Sequence, residues 1–131
     1  MSRVWTENQQ KAISARGEQV LISAAAGSGK TAVLVERVVD KLCSKTEPVS
    51  ADRLLIVTFT NAAAAEMRTR IEKRLDEECR KNSDDVALSL QKHKLASAKI
   101  CTIDSFCIDL VRENFDKLGI SPDFKMSDGN S

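Results

Sequence analysis

A glycine-containing loop over residues 24–31, with the sequence AAAGSGKT, constrains the fold of this chain more than any other feature. The apolar, β-branched run 19–23 before it is short enough to be a buried strand, and residues 32–42 after it carry apolar side chains at helical spacing. Backbone N–H groups that converge at such a junction of strand, loop and helix form a site for phosphate. The pattern therefore predicts an α/β fold with a phosphate-binding loop, or P-loop.

The loop contains each group that a nucleoside triphosphate requires. Its N–H groups would cradle the phosphates, Lys30 would reach the β- and γ-phosphate oxygens, and the Thr31 hydroxyl would hold magnesium. We therefore predict Lys30 and Thr31 as catalytic residues and Thr31 as the metal contact. The usual pattern, GxxxxGK[ST], has glycine where this chain has Ala24, and an incidental glycine turn remains the alternative. The predicted nucleotide contacts in the loop are Ala26, Gly27, Ser28, Gly29, Lys30 and Thr31.

The rest of the chain alternates helical and strand-like segments. Strands that alternate with helices favour a three-layer α/β fold, in which a parallel sheet is built with right-handed crossovers. Residues 122–131 are polar and are predicted to be a mobile tail. The other predicted elements, in chain order, are a short helix after the capping box Thr6 to Gln9, a strand at 53–59, a helix at 62–81 capped by Asn61, a helix from 82–85 to about 97, a strand at 99–103, and a helix at 105–118 closed by Gly119.

Composition disfavours several classes of protein. No apolar stretch approaches the roughly 20 residues that span a bilayer, and the N-terminus lacks the apolar segment of a signal peptide, so we expect a cytoplasmic protein with no membrane contact. The net charge of +1 supplies no broad basic field, so any nucleic-acid contact has to be local. Neither CxxC spacing nor nearby histidines mark a zinc site or redox pair among the cysteines, which are Cys43, Cys79, Cys101 and Cys107.

Three further blocks, taken with the loop, resemble the superfamily 1 DNA helicases of the UvrD/Rep type. Gln9 to Ile13 is similar to the glutamine motif of that family, residues 58–67 (TFTNAAAAEM) to a second motif, and residues 102–106 (TIDSF) to a third. These motifs follow one another in the family's order from residue 5 to about residue 124. Within the family, residues 31–37 and 61–67 look most like the AddA proteins of the bacterial AddAB helicase–nucleases.

The resemblance implies an activity and a fold. ATP binding and hydrolysis, with Mg²⁺, would drive movement along single-stranded DNA during processing of double-strand breaks. Double-stranded DNA would be a further substrate, and the partner would be an AddB-like protein. The fold would be a RecA-like parallel sheet, in which residues 1–131 form the N-terminal half of the first motor domain. An acidic magnesium motif, an arginine finger and a nuclease domain are not in the sequence. We therefore expect nucleotide binding at best, and self-association through the incomplete sheet.

The resemblance also assigns individual residues. Gln9 would read adenine, because its amide offers both a donor and an acceptor to the N6/N7 edge of the base. Hydroxyls, an amide and helix N-terminal N–H groups can hold DNA phosphates, and an aromatic ring can stack on a base. For Phe59 a core position, and for Asn61 a helix cap, remain the alternatives. The implied DNA contacts are Thr58, Phe59, Thr60, Asn61, Ser105 and Phe106.

Three positions depart from the family's pattern. Ala32 and Ala62 stand where UvrD-like relatives often have arginine and lysine, so the contacts of those side chains are absent or supplied elsewhere. Asp104 stands where histidine is usual, and a helix cap, a variant DNA motif and a magnesium ligand are all open for it. Two other functions also remain open. One is a small P-loop phosphotransferase, which would need an arginine cluster not found after the third strand, and the other is a non-catalytic interaction module.

Overall fold

The computed structural model describes residues 3–17 and 19–126. These residues form a mixed α/β structure, as the alternation of strand-like and helical segments predicts. Short 3-10 turns at Ala51–Arg53 and Leu95–Ser97 precede the two strands. In chain order, the elements are α1 (Glu7–Ser14), α2 (Lys30–Cys43), β1 (Leu55–Thr58), α3 (Asn61–Lys81), α4 (Val86–Lys94), β2 (Lys99–Thr102), α5 (Ile103–Glu113) and α6 (Phe115–Leu118).

The two strands form a small parallel sheet. Thr58 at the end of β1 lies opposite Thr102 at the end of β2, and the register runs back to the pair Leu55 and Lys99. A tight hairpin cannot join parallel strands, and here α3 and α4 form the crossover between them. Both strands therefore end at the same edge of the sheet, which brings the residues that follow them close together.

The hydrophobic core lies where α2 and α3 pack together and against the sheet. Ile71 and Leu75 of α3 are fully buried, and Met67 lies one turn earlier on the same face of the helix. Val39 and Leu42 of α2 belong to the same buried cluster. Because burying one such side chain contributes about 1.5–3 kcal/mol, this contact fixes the long axis of α3 against α2.

The strand predicted over residues 19–23 is not formed in the described structure. The run is irregular, and it pairs with neither β1 nor β2. Leu21 is 95% exposed, and Val20 and Ile22 are 39% and 42% exposed. An extended segment becomes a strand only when a neighbour satisfies its N–H and C=O groups, and β1 and β2 satisfy each other. The apolar pattern of the run carries no information about such a neighbour, so this prediction was wrong.

Two helices begin at caps other than the predicted ones. Thr60, instead of Asn61, is the N-cap of α3, and its hydroxyl accepts a backbone N–H from the first turn. Thr102, instead of Asp104, is the N-cap of α5 and accepts the N–H of Ser105. Both threonines have the extended backbone that an N-cap needs, because each lies at or just beyond the end of a strand.

The helix predicted over residues 105–118 is divided into α5 and α6. Asn114 interrupts it, and the Asn114 side-chain amide donates to the Leu110 carbonyl oxygen, a local bond that competes with the helical ladder. Gly119, with a φ of 64°, closes α6 in the left-handed conformation that the sequence predicts there. Of the tail predicted to be mobile, residues 127–131 lie outside the described residues.

Neither a membrane-spanning helix nor a metal-binding cluster is found in the described part of the chain. Across residues 3–17 and 19–126, no helix has both the length and the apolar character needed to cross a bilayer. Over the same residues, no three His, Cys, Asp or Glu side chains come together as a group that could hold a metal ion.

Candidate functional site

The loop before α2 has the backbone of a phosphate-binding turn. Gly27 and Gly29 both adopt a left-handed conformation, with φ angles of 77° and 82°, which side chains with a Cβ rarely adopt. Between them, the Ser28 N–H donates to the Ala25 carbonyl oxygen at 3.2 Å and closes the turn. Gly29 is the N-cap residue of α2, so the turn leads directly into the positive end of the helix dipole.

The backbone donors of this loop are available to a ligand. Among the described residues, no backbone acceptor pairs with the N–H groups of Gly27, Gly29, Lys30 or Thr31. The loop itself is exposed to solvent, and so is the Thr31 side chain in the first turn of α2. Several unpaired N–H groups at one helix terminus are the donor set that a phosphate chain requires, so the residues present fit the predicted ligand.

Lys30 lies across the loop. Its ammonium group donates to the Ala24 carbonyl oxygen at 2.9 Å and to the Ala25 carbonyl oxygen at 3.2 Å. Both carbonyls are exposed, so they can be returned to water at little cost if the ammonium moves to a phosphate. The lysine predicted to contact nucleotide is therefore held within the loop.

Gln9 connects α1 to the same loop. Its amide NH₂ donates to the Ser28 carbonyl oxygen at 3.1 Å, and its amide oxygen accepts the Thr6 N–H at 3.0 Å. The predicted capping box is confirmed, because the Thr6 hydroxyl in turn accepts the Gln9 N–H. An amide has two donors and two acceptor lone pairs, so one of each is left for a base edge.

Arg37 of α2 fixes the position of α1, and reasoning from the sequence missed it. One terminal nitrogen of its guanidinium donates to the carbonyl oxygens of Ala12 and Ala15 at 2.7 Å each, and to that of Ile13 at 3.3 Å. A cation at the C-terminus of a helix also favours the negative end of the helix dipole. The only signal in the sequence is a charged residue beside the apolar stripe of α2, and that pattern names no partner.

A second group of predicted residues lies at the edge of the sheet where both strands end. The register places Thr58 beside Thr102, and Phe59 immediately follows β1. Phe59 is 93% exposed, so a core position is wrong for this ring. The Thr58 hydroxyl donates to the Thr60 carbonyl oxygen at 2.9 Å, and Asn61 is exposed at the start of α3. An aromatic face, hydroxyls and a helix N-terminus thus share one edge.

The third motif adds residues to this edge from α5. The Thr102 hydroxyl donates to the Ser105 hydroxyl at 2.9 Å, which ties the first turn of α5 to the end of β2. Phe106 is partly buried, and Asp104 is exposed in the first turn of the helix. A carboxylate there is favoured by the helix dipole without acting as the cap. The structure therefore brings together the two motifs predicted to contact DNA.

A small parallel sheet, packed helices and a glycine loop at a helix N-terminus are features of a mixed α/β nucleotide-binding domain. The chain belongs to the UvrD/REP helicase N-terminal domain family, whose family model matches residues 5–131. The predicted family is therefore confirmed.

Curated relatives of this chain share one description, in which each is one of the subunits of an ATP-dependent helicase/nuclease. The relative from Exiguobacterium sibiricum is 47% identical over 128 residues, which is 98% of this chain and 11% of the relative. The relative from Thermoanaerobacter sp. (strain X514) is 50% identical over 128 residues, again 98% of this chain and 10% of the relative. The relative from Listeria innocua is 48% identical over 123 residues, 94% of this chain and 10% of the relative. The chain thus spans about a tenth of the length of the curated relatives it matches.

Proposed function

We propose that this chain binds ATP and single-stranded DNA as the nucleotide-binding part of an ATP-dependent DNA helicase. The observation that carries the proposal is the loop before α2, where N–H groups without a backbone acceptor lie beside a lysine that bonds only loop carbonyls. The family membership and the names of the relatives support ATP as the nucleotide.

The proposed binding event exchanges bonds within the loop for bonds to phosphate. The N–H groups of Gly27, Gly29 and Lys30 would donate to phosphate oxygens, and the Lys30 ammonium would leave its two carbonyl partners for the β- and γ-phosphates. The Thr31 hydroxyl would contact the magnesium ion, which neutralises phosphate charge when it is bound. Gln9 would contribute its remaining donor and acceptor to adenine.

Single-stranded DNA is the proposed ligand at the edge of the sheet. Phe59 offers an exposed ring on which a base can stack, and the nearby hydroxyls and helix N-termini can donate to phosphates. With a net charge of only +1 over the chain, these short-range contacts would have to supply most of the binding. A small P-loop phosphotransferase would have no use for this edge.

Wider roles are proposed for the longer protein that the relatives exemplify. These are ATP hydrolysis coupled to movement along DNA, nuclease activity in double-strand break repair, and assembly in the cytoplasm with an AddB-like protein. In that setting residues 1–131 would be the N-terminal half of a RecA-like motor domain with a three-layer sheet. For the chain itself, the proposal is limited to binding.

The nucleotide half of the proposal is tested by calorimetric titration with ATP and magnesium. We expect weak binding that Lys30→Ala abolishes and that Lys41→Ala, which removes an equal charge from the last turn of the same helix, leaves unchanged. No heat that depends on Lys30 at millimolar nucleotide would refute a competent loop and favour a non-catalytic interaction module.

The DNA half is tested by fluorescence anisotropy with a labelled single-stranded oligonucleotide at low salt. Phe59→Ala should weaken binding at least about fivefold, since stacking of one base on an aromatic ring contributes about 1–3 kcal/mol. Val86→Ala, at an 80% exposed apolar residue at the start of α4, is the matched control. Nucleotide binding without DNA binding would favour the phosphotransferase.

A further inference from the structure

A cavity of about 860 Å³ opens beside the phosphate-binding loop, between the segment before α1 and the helices α2 and α3. Arg3 and Trp5 line one side, and Ala32, three residues after the loop's last glycine, lies in another wall. A volume of this size falls within the range of about 300–1,000 Å³ that is usual for small-molecule sites. The small side chain of Ala32 leaves the space next to the loop unfilled.

Arg3 joins this cavity to the loop. Its guanidinium carbon lies 5.0 Å from the centroid of the Trp5 ring, so the cation rests against the aromatic group. One of its terminal nitrogens is 3.3 Å from the point where a Cβ on Gly29 would lie. The Gln9 amide nitrogen is 3.5 Å from the same point. A planar cation and the predicted adenine-reading amide therefore meet at the glycine that caps α2.

The other arginines around the cavity are already paired. Arg74 donates to both carboxylate oxygens of Glu36 at 2.9 Å, and it also pairs with Glu78. Arg70 forms an i,i+4 ion pair with Glu66. Arg3 has no ion pair with any carboxylate of the described residues. Within residues 3–17 and 19–126, its guanidinium is thus the one in this cavity that an aromatic ring holds instead of a carboxylate.

We propose that Arg3, supported by Trp5, stacks on the base of the nucleotide whose phosphates occupy the loop, and that the cavity beside Ala32 is the base pocket. The inference rests on the proposed nucleotide binding. A guanidinium is flat and weakly hydrated, so one face can lie against Trp5 while the other takes a purine. Stacking of this kind does not distinguish bases. Arg3 therefore contributes affinity for any purine nucleotide, whereas Gln9 supplies the preference for adenine.

The chain contains its own reporter for this pocket. Trp5 is the single tryptophan, and there is no tyrosine, so fluorescence excited at the indole band comes from the proposed site alone. Titration with ATP and magnesium should change the Trp5 emission with the same saturation curve that calorimetry gives. Inorganic tripolyphosphate should bind in calorimetry with little change in emission.

Substitutions separate stacking from charge. Arg3→Ala and Arg3→Lys should each weaken ATP and GTP about two- to fivefold, as expected for an exposed cation–π contact, and should leave tripolyphosphate binding unchanged. Lysine keeps the charge but has no planar face. Arg53→Ala, which removes an exposed arginine from the 3-10 turn before β1, is the matched control, and circular dichroism of each variant checks its fold.

The outcomes distinguish this inference from the proposed function. If Arg3→Ala weakens tripolyphosphate as much as ATP and Arg3→Lys restores both, Arg3 contacts phosphate and the stacking role is overturned. If ATP binds through Lys30 while the Arg3 variants and the Trp5 emission show no effect, the base lies elsewhere and only the inference fails. If neither ATP nor tripolyphosphate binds through Lys30, the proposed function fails, and the base pocket fails with it.

Discussion

Arg37→Ala should release α1 from α2 without unfolding the core. Three carbonyl oxygens at the end of α1 accept from one terminal nitrogen of Arg37, two at 2.7 Å and one at 3.3 Å. That nitrogen carries only two hydrogens, so at most two full hydrogen bonds are lost. An isolated helix of eight residues is not stable in water, so α1 depends on this attachment and on the burial of Ile13.

The expected magnitude follows from the charge on the donor. A hydrogen bond to a charged group contributes about 1.5–3 kcal/mol net, and the freed carbonyls at the partly exposed end of α1 can bond water instead. We therefore expect the local opening of α1 to become about ten- to a hundredfold more frequent. Because Gln9 lies on α1, the affinity for ATP should fall more than the affinity for GTP.

Hydrogen exchange measured residue by residue is the appropriate assay. Amides 10–14 of α1 should lose protection in Arg37→Ala, while the amides around Ile71 in α3 keep theirs. Arg53→Ala, at an exposed arginine outside these contacts, should change neither group. Unchanged protection of α1 in Arg37→Ala would show that Ile13 packing alone holds the helix and would refute the reasoning.

Three further predictions concern single side chains. Gln9→Ala should weaken ATP by about 1 kcal/mol and leave GTP nearly unchanged in calorimetry, whereas equal losses would remove the adenine role. Burial alone would raise the pKa of Glu78, but hydrogen bonds from Arg74 and a lysine hold that pKa below its ordinary value of 4.5. Its contribution to stability is therefore present above pH 4.5 and is lost as the pH falls towards the folded-state pKa; urea unfolding of Glu78→Gln should be less sensitive to acid over this window. Burial raises the pKa of the Cys43 thiol to about 11, so alkylation followed by mass spectrometry at neutral pH should modify exposed Cys107 first, and the reverse order would contradict the burial of Cys43.

Elements that depend on local signals could be predicted from the sequence. The capping box at Thr6, the stripe of Met67, Ile71 and Leu75, and the left-handed Gly119 are each set by residues within a few positions of one another. The glycine turn at residues 27–29 belongs to the same group, and the structure places it next to Gln9 as the motifs imply.

The remaining features depend on contacts between distant residues. Residues 19–23 have the composition of a strand, but pairing requires a neighbour whose position the pattern does not contain. Arg37 and Arg3 are ordinary surface cations in the sequence, and only the packing of α1 against α2 and the approach to Gly29 give them partners. Threonine and the residue after it are both reasonable helix caps, and the end of the strand decides in favour of Thr60 and Thr102.

The exposed run 19–23 leads to the last prediction, which concerns association of the chain with itself. Leu21 is almost fully exposed beside Val20 and Ile22, and Leu55 and Val57 of the two-stranded sheet are each at least 40% exposed. Apolar, β-branched segments with unpaired backbone invite pairing with another chain, and a sheet of two strands is marginal alone. We expect sedimentation velocity to show association that grows with concentration and that Leu21→Lys suppresses, because a charge at a strand edge blocks pairing. Val4→Lys, at an equally exposed valine before α1, should leave association intact. A monomer at every concentration, or equal suppression by both substitutions, would show that the run 19–23 is not the associating segment.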